Sequence, residues 1–224
     1  MSKRAQLIAE EIQRDVAAGG WQVGLLIGSE TDLTEKFGVS RSTLREAVRI
    51  LESQQVARMR SGPNGGLVVT SPDPSVVAAS VARHFGSQEV SAPEILEARV
   101  LIELRCLDLI SERMDERRVH ALRNQVQTFR DRPDARSALE FHLLLGELSG
   151  NRALALFAAT LAQLGSHRWS ENSEDDEAAE LDADLSQVAD VHQRITDALV
   201  DGDLALARAR AKAHLAHMEH YWSC

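Results

Sequence analysis

Cysteine is scarce in this chain: Cys106 and Cys224 are the only two in 224 residues. Two thiols so few and so far apart fit a reducing cytoplasm better than a disulfide framework. No apolar run approaches the roughly 20 residues of a membrane-spanning helix, and none follows Lys3 and Arg4, so neither a span nor a signal peptide is expected. No internal repeat is visible. Excess positive charge is also lacking, with 25 Lys and Arg against 34 Asp and Glu and a net charge of −9. That balance looks wrong for a nucleic-acid binder until the charge is divided along the chain. Hydrophobic residues make up 44%, which excludes a disordered tail and suits one or two domains.

The division is uneven. Residues 1–72 carry nine basic and eight acidic side chains, a net +1, and the remainder nets −10. Ser71–Pro72–Asp73–Pro74 marks the boundary. The expected organisation is a first domain over 1–72, a linker helix within 73–91 opening at Pro74, and a third segment over 92–224 that reads as helices throughout. Helical patterns run at about 92–114, 116–130, 134–149, 152–167, 177–201 and 203–221. Gly150–Asn151 and Asp201–Gly202–Asp203 serve as breaks, with Asn151 as an N-cap. Eight carboxylates crowd Glu171–Asp184. They lack the glycine and the alternating spacing of a calcium loop and read as a solvated helix start.

The stretch from Gly38 to Arg49 is the most telling. At 100° per residue, Leu44, Ala47, Val48 and Leu51 gather on one arc, and Arg41, Arg45 and Arg49 fall on the next, with Ser42 and Thr43 near the helix start. Ser40 is placed to cap that helix. Before it, Lys3–Ala18 has helical spacing, Trp21–Ile27 is a short apolar connection, and Ser29 with Asp32 opens a second helix that ends at Gly38. Two short helices joined by a glycine turn are the helix-turn-helix signature. Downstream, Val56–Arg60 and Leu67–Thr70 read as strands around Ser61–Gly66, a hairpin wing. Glycines there let backbone N–H groups approach a phosphate or a minor groove, and Arg58 and Arg60 add charge. Guanidinium and hydroxyl groups at a helix start suit major-groove readout.

The matching residues Gly24, Ser29–Glu30, Leu33, Phe37–Gly38–Val39–Ser40–Arg41, Leu44–Arg45–Glu46–Ala47, Leu51 and Gly62–Gly66 resemble the GntR family of bacterial transcription regulators over about residues 5–72. Val23 and Gly28 stand where that family usually has Pro, Gln55 where it has Gly, and Thr31 where a basic residue is frequent. The resemblance implies DNA contacts from Arg41, Ser42, Thr43, Arg45, Arg49 and the wing residues Asn64, Gly65 and Gly66.

Read from spacing alone, His142, His192 and His214 sit on three separate helices, and each is better taken as a satisfied polar residue than as a ligand. Arg99 and Glu103, four apart, make a helix salt bridge or line a pocket. Arg99–Glu103, Phe141–His142 with Ser149–Asn151, His192 with Asp201–Asp203, and Ala211–Leu215 resemble the FCD ligand-binding domain of the FadR-like subfamily, over about 92–217. That resemblance implies a divalent metal such as Zn on His142, His192 and His214, together with an aspartate whose position is Ala138 here. Three imidazoles and water still hold zinc; a metal-free pocket is the alternative. It also implies an effector site at Arg99 and Glu103 for a small anion, an organic acid or an acyl-CoA. His217 and His220 have no counterpart and are expected at the surface.

The fold expected is mainly α, an N-terminal winged helix-turn-helix domain followed by an all-α helical bundle. The function expected is a cytoplasmic homodimeric repressor on a pseudo-palindromic operator, without membrane contact, whose affinity an anionic metabolite modulates. A metal-sensing regulator is the alternative. A three-histidine metalloenzyme is a further one, but it leaves the arginine face and the wing without a purpose.

Overall fold

The computed structural model describes residues 2–62, 65–71, 73–172 and 178–222, with side chains through 164 and again from 185 to 217. The chain divides into two units, Met1–Asp73 and Pro74–Cys224.

The first unit is built from α1 (Lys3–Ala18), β1 (Leu26–Gly28), α2 (Glu30–Phe37), α3 (Arg41–Ser53), β2 (Ala57–Arg60) and β3 (Gly66–Val69). Local chemistry sets its boundaries. Ser29 and Asp32 form a reciprocal capping box at the start of α2. Gly38 ends it with φ +59, a left-handed conformation that costs glycine little. Ser40 accepts from the Thr43 N–H to open α3. The apolar arc then buries Leu44, Ala47, Val48 and Leu51 against Ile8 and Ile12 of α1 and Leu33 of α2. Leu44 and Leu51 are fully buried and each contributes roughly 2 kcal/mol.

β3 lies between β1 and β2 in an antiparallel sheet, with Ala57 opposite Val69 and Arg60 opposite Gly66. The short connection expected over Trp21–Ile27 thus ends in a strand. Leu26 pairs with Val68, a partner some forty residues away that no local pattern announces. At the exit of α3 the Gln55 and Val56 N–H groups return to the Glu52 and Leu51 carbonyls. This is a Schellman closure, and it holds Gln55 at φ +55.

The second unit holds α4 (Pro74–Ser87), α5 (Ala92–Glu112), α6 (Glu116–Asp131), α7 (Ala135–Leu148), α8 (Arg152–Asn172), α9 (Ala178–Val200) and α10 (Leu204–Trp222). No strand appears in it among the described residues. α4, expected as a linker, packs on α8 within this unit, where Val81 and Phe85 meet Leu161 and Leu164. The main core joins Leu107 and Ile110 of α5, Leu122 and Val126 of α6, Phe141 and Leu145 of α7, Ile195 and Leu199 of α9, and Ala207 and Ala211 of α10. α7 and α8 approach closely at Gly146, where an added Cβ would lie 3.0 Å from the Ala155 Cα. Asn151 caps α8 as expected, its Oδ1 accepting from the Ala153 and Leu154 N–H groups. Arg113 and Arg118 donate to the Ser149 and Leu148 carbonyls at the end of α7, where cations offset the helix dipole. The side chains of Glu171–Asp184, and His220, lie outside the described residues.

Candidate functional site

Two places carry the residues singled out in the sequence, one in each unit. In the first, α3 holds its core face inward and turns the other outward. Arg41, Ser42, Arg45 and Arg49 are exposed and Thr43 is half-buried. Ser40 Oγ lies 2.8 Å from Ser42 Oγ and 3.0 Å from Thr43 Oγ1. A small hydroxyl cluster therefore sits at the positive end of the helix. Arg45 has a partner that the sequence reading missed: its Nε donates to Glu30 Oε1 at 2.9 Å. The two are fifteen residues apart on different helices, so no periodicity links them.

The wing differs in detail from the expectation. Gly65 N–H is taken up by the Gly62 carbonyl at 2.8 Å. Gly66 is buried in β3 at φ +153, where a Cβ would come within 2.5 Å of the Gly28 carbonyl oxygen. Within the chain Gly65 closes the turn and Gly66 lets β3 pass β1. Arg58 and Arg60 are exposed on β2. Asn64 lies outside the described residues.

In the second unit four helices converge on the three histidines. His142 on α7, His192 on α9 and His214 on α10 are all buried. One ring nitrogen from each lies within 4.8 Å of the other two. His192 Nε2 is 3.2 Å from His214 Nε2, which is 3.4 Å from His142 Nε2. Nitrogens bound to a common tetrahedral zinc at about 2.0–2.1 Å are roughly 3.3–3.4 Å apart, so this donor set fits a divalent transition cation. Phe141 stacks on the His192 ring at 4.0 Å and Phe129 lies 5.6 Å away, fixing its orientation. Ala138, one turn before His142, is buried and offers no ligand atom.

Behind His142 stands an ionic pair. Arg99 and Glu103 of α5 are each 1% exposed. Arg99 Nε donates to Glu103 Oε1 at 2.6 Å, and Glu103 Oε2 lies 2.8 Å from His142 Nδ1. The salt bridge and the pocket, alternatives in the sequence, are parts of one network. Both Glu103 oxygens are engaged within the chain, one by Arg99 and one by His142. Burial pushes the Glu103 carboxyl up, but His142 and Arg99 more than offset this and hold it at about 2. Burial lowers all three histidines, His192 well below its usual value and His214 to about 3. The imidazoles are therefore neutral near pH 7, the state in which they bind metals. His192 Nδ1 and Thr196 Oγ1 are buried without a hydrogen-bond partner among the described residues. His217 is exposed.

The comparisons with known proteins divide the chain in the same way. A model of the gntR family of bacterial regulatory proteins matches residues 4–67, and a model of the FCD domain matches residues 94–217. The chain is 26% identical over 171 residues to the Uxu operon regulator of Haemophilus influenzae, covering 73% of this chain and 62% of that protein. It therefore spans about three fifths of that relative. It is 25% identical over 215 residues to the Exu regulon transcriptional regulator of Escherichia coli, covering 94% and 81%. A solved GntR structure from Streptococcus agalactiae shares the fold with a TM-score of 0.64 at 21% identity, covering 96% of this chain and 99% of that one.

Proposed function

The chain belongs to the gntR family of bacterial regulatory proteins and carries an FCD domain, and we propose that it is a ligand-responsive transcription regulator. The observation that carries this reading is the face of α3. Three exposed arginines and the Ser42–Thr43 hydroxyls project from a helix whose other face is locked into the core. Arg41, Arg45 and Arg49 are the groups for base edges and phosphates, and Ser42 and Thr43 approach the backbone at the helix start. The wing adds Arg58 and Arg60. Two copies present two such faces to a pseudo-palindromic operator.

The effector acts through the second unit. The Arg99–Glu103 pair is internally neutral and the three imidazoles are uncharged, so a divalent cation on their Nε2 atoms requires an accompanying anion. A small organic acid would supply that charge, and a cation held by His142, His192 and His214 would offer its carboxylate an electrophilic anchor. An effector that binds one arrangement of the dimer better than another shifts operator affinity by the ratio of its two affinities. We read the sign as repression relieved by ligand.

The test is binding to the promoter fragment beside the protein's own gene, followed by fluorescence anisotropy at several salt concentrations. Arg41→Ala and Arg45→Ala are each expected to cost about 1–3 kcal/mol if they read a base, or to reduce the salt slope by about one if they bind phosphate. Unchanged, salt-insensitive binding in both variants overturns the reading. A metal-sensing regulator is the second reading, favoured by the convergence of three Nε2 atoms. Metal that changes operator affinity with no organic acid present selects it.

A further inference from the structure

The network behind His142 decides which nitrogen of that ring faces the centre. We propose that Glu103, anchored by Arg99, is a positioning residue that fixes His142 as the Nδ1–H tautomer and so turns its Nε2 lone pair toward His192 and His214. The inference rests on the reading of the three histidines as a cation site and names what makes the site competent.

A carboxylate only accepts hydrogen bonds, so a partner 2.8 Å from Glu103 Oε2 must donate. His142 Nδ1 therefore carries the proton. In a neutral imidazole the other nitrogen then carries the lone pair, and that nitrogen is the one 3.4 Å from His214 Nε2. The opposite tautomer would put a proton into the centre and remove one of three ligands. Arg99 keeps the carboxylate from turning away, because its Nε holds Oε1 at 2.6 Å with both groups buried. The two nitrogens of one ring point in different directions, so Glu103 stands behind the ring and is not itself a ligand. Accepting the Nδ1–H also raises the basicity of Nε2. Partners of this kind are worth about 10–100-fold in metal affinity. His192 is held differently, by Phe141 stacked on its face, with no acceptor at its Nδ1 among the described residues.

Glu103→Gln is a sharp perturbation because it keeps the shape and reverses the polarity. Arg99 has only donors, so it claims the amide oxygen. The amide NH2 then faces His142 Nδ1, which must become an acceptor, and the proton moves to Nε2. The readouts are the histidine tautomers of the metal-free, 15N-labelled full chain by long-range 1H–15N correlation, assigned with His142→Gln, and Co2+ affinity by its visible absorption. The expected result is Nδ1–H at His142 in the wild type, Nε2–H in Glu103→Gln, and Co2+ affinity lower by about 10–100-fold in the variant, with unchanged circular dichroism. Nε2–H or a mixture in the wild type overturns the proposal without any variant. Equal Co2+ affinity and spectra in both chains also overturn it. A wild type that shows Nδ1–H but takes up no Co2+ supports the tautomer assignment and overturns the cation reading instead.

Discussion

Arg99→Met breaks the most deeply buried ionic contact among the described residues, and its cost follows from the surroundings. The variant keeps roughly the aliphatic volume but leaves the Glu103 carboxylate 1% exposed, with the His142 Nδ1–H still 2.8 Å from its Oε2. Removing one member of a buried pair typically costs about 3–5 kcal/mol, most of it the desolvation of the charge left behind. Whole domains are stable by only about 5–15 kcal/mol, so this single change removes a large share. In a unit of this size it lowers Tm by roughly 6–20 °C.

Adding Glu103→Leu in the same chain removes the stranded charge. The remaining penalty is a His142 ring without its acceptor, about 1–3 kcal/mol, so the double variant should be more stable than Arg99→Met. Urea unfolding followed by circular dichroism, with both singles and the double, gives the coupling energy. A loss under about 1 kcal/mol in Arg99→Met would refute the claim that the pair is desolvated. So would a double variant as unstable as the two singles added, since the groups would then not be coupled.

Three other changes test separate parts of the structure. Gln55→Gly relieves a left-handed φ of +55 and should stabilise the first unit by about 0.5–1 kcal/mol net of glycine's entropy; the urea midpoint read from Trp21 in a Trp169→Phe, Trp222→Phe background measures it. Gly146→Ala gains about 1 kcal/mol of helix propensity but drives a methyl to 3.0 Å from the Ala155 Cα. Overpacking of about 1–3 kcal/mol should win, and calorimetry showing a raised Tm would mean that α8 yields. Hydrogen bonds from Ser29 hold the Asp32 carboxyl below its ordinary 3.8. Its contribution is thus complete above that value and lost as pH falls below it. Asp32→Asn should flatten the acid limb of the stability curve, and an unaltered limb would show that the cap does not titrate with folding.

The first unit was legible where its signals are local. Ser29 with Asp32, Gly38 and Ser40 are each read from two or three neighbours, and the core arc of α3 repeats within one helix. β1 was not legible, because Leu25–Leu26–Ile27 has no alternation and becomes a strand only through Val68 and Leu67. The wing glycines illustrate a different limit. Glycine marks a place where backbone comes close to something, and the sequence does not say to what. At Gly66 it is the Gly28 carbonyl of the chain itself. In the second unit helix limits followed from caps and breaks, but no periodicity joins His142, His192 and His214, and only the family resemblance grouped them. Arg99 and Glu103 four apart fit an exposed salt bridge as well as a buried one. Burial decides between them, and burial belongs to the packing of α5 against α7 and α10.

The contact between Arg45 and Glu30 shows how a missed partner bears on function. A carboxylate on a proposed base-reading arginine looks like an obstacle, but Arg45 is 66% exposed and Glu30 33%. A pair so open to water is worth about 0–1 kcal/mol. A good bidentate arginine–guanine contact is worth about 1–3 kcal/mol of discrimination, so DNA has enough to replace Glu30. The bond is moreover made through Nε, and the two terminal nitrogens of the guanidinium can still pair with guanine O6 and N7. Glu30 therefore narrows the conformations of Arg45 in the free chain without engaging those two nitrogens. The converse holds at Arg99, where the same two residue types in the same kind of bond are buried. There no solvent competes, the pair is costly to break, and what it orients is the histidine beside it.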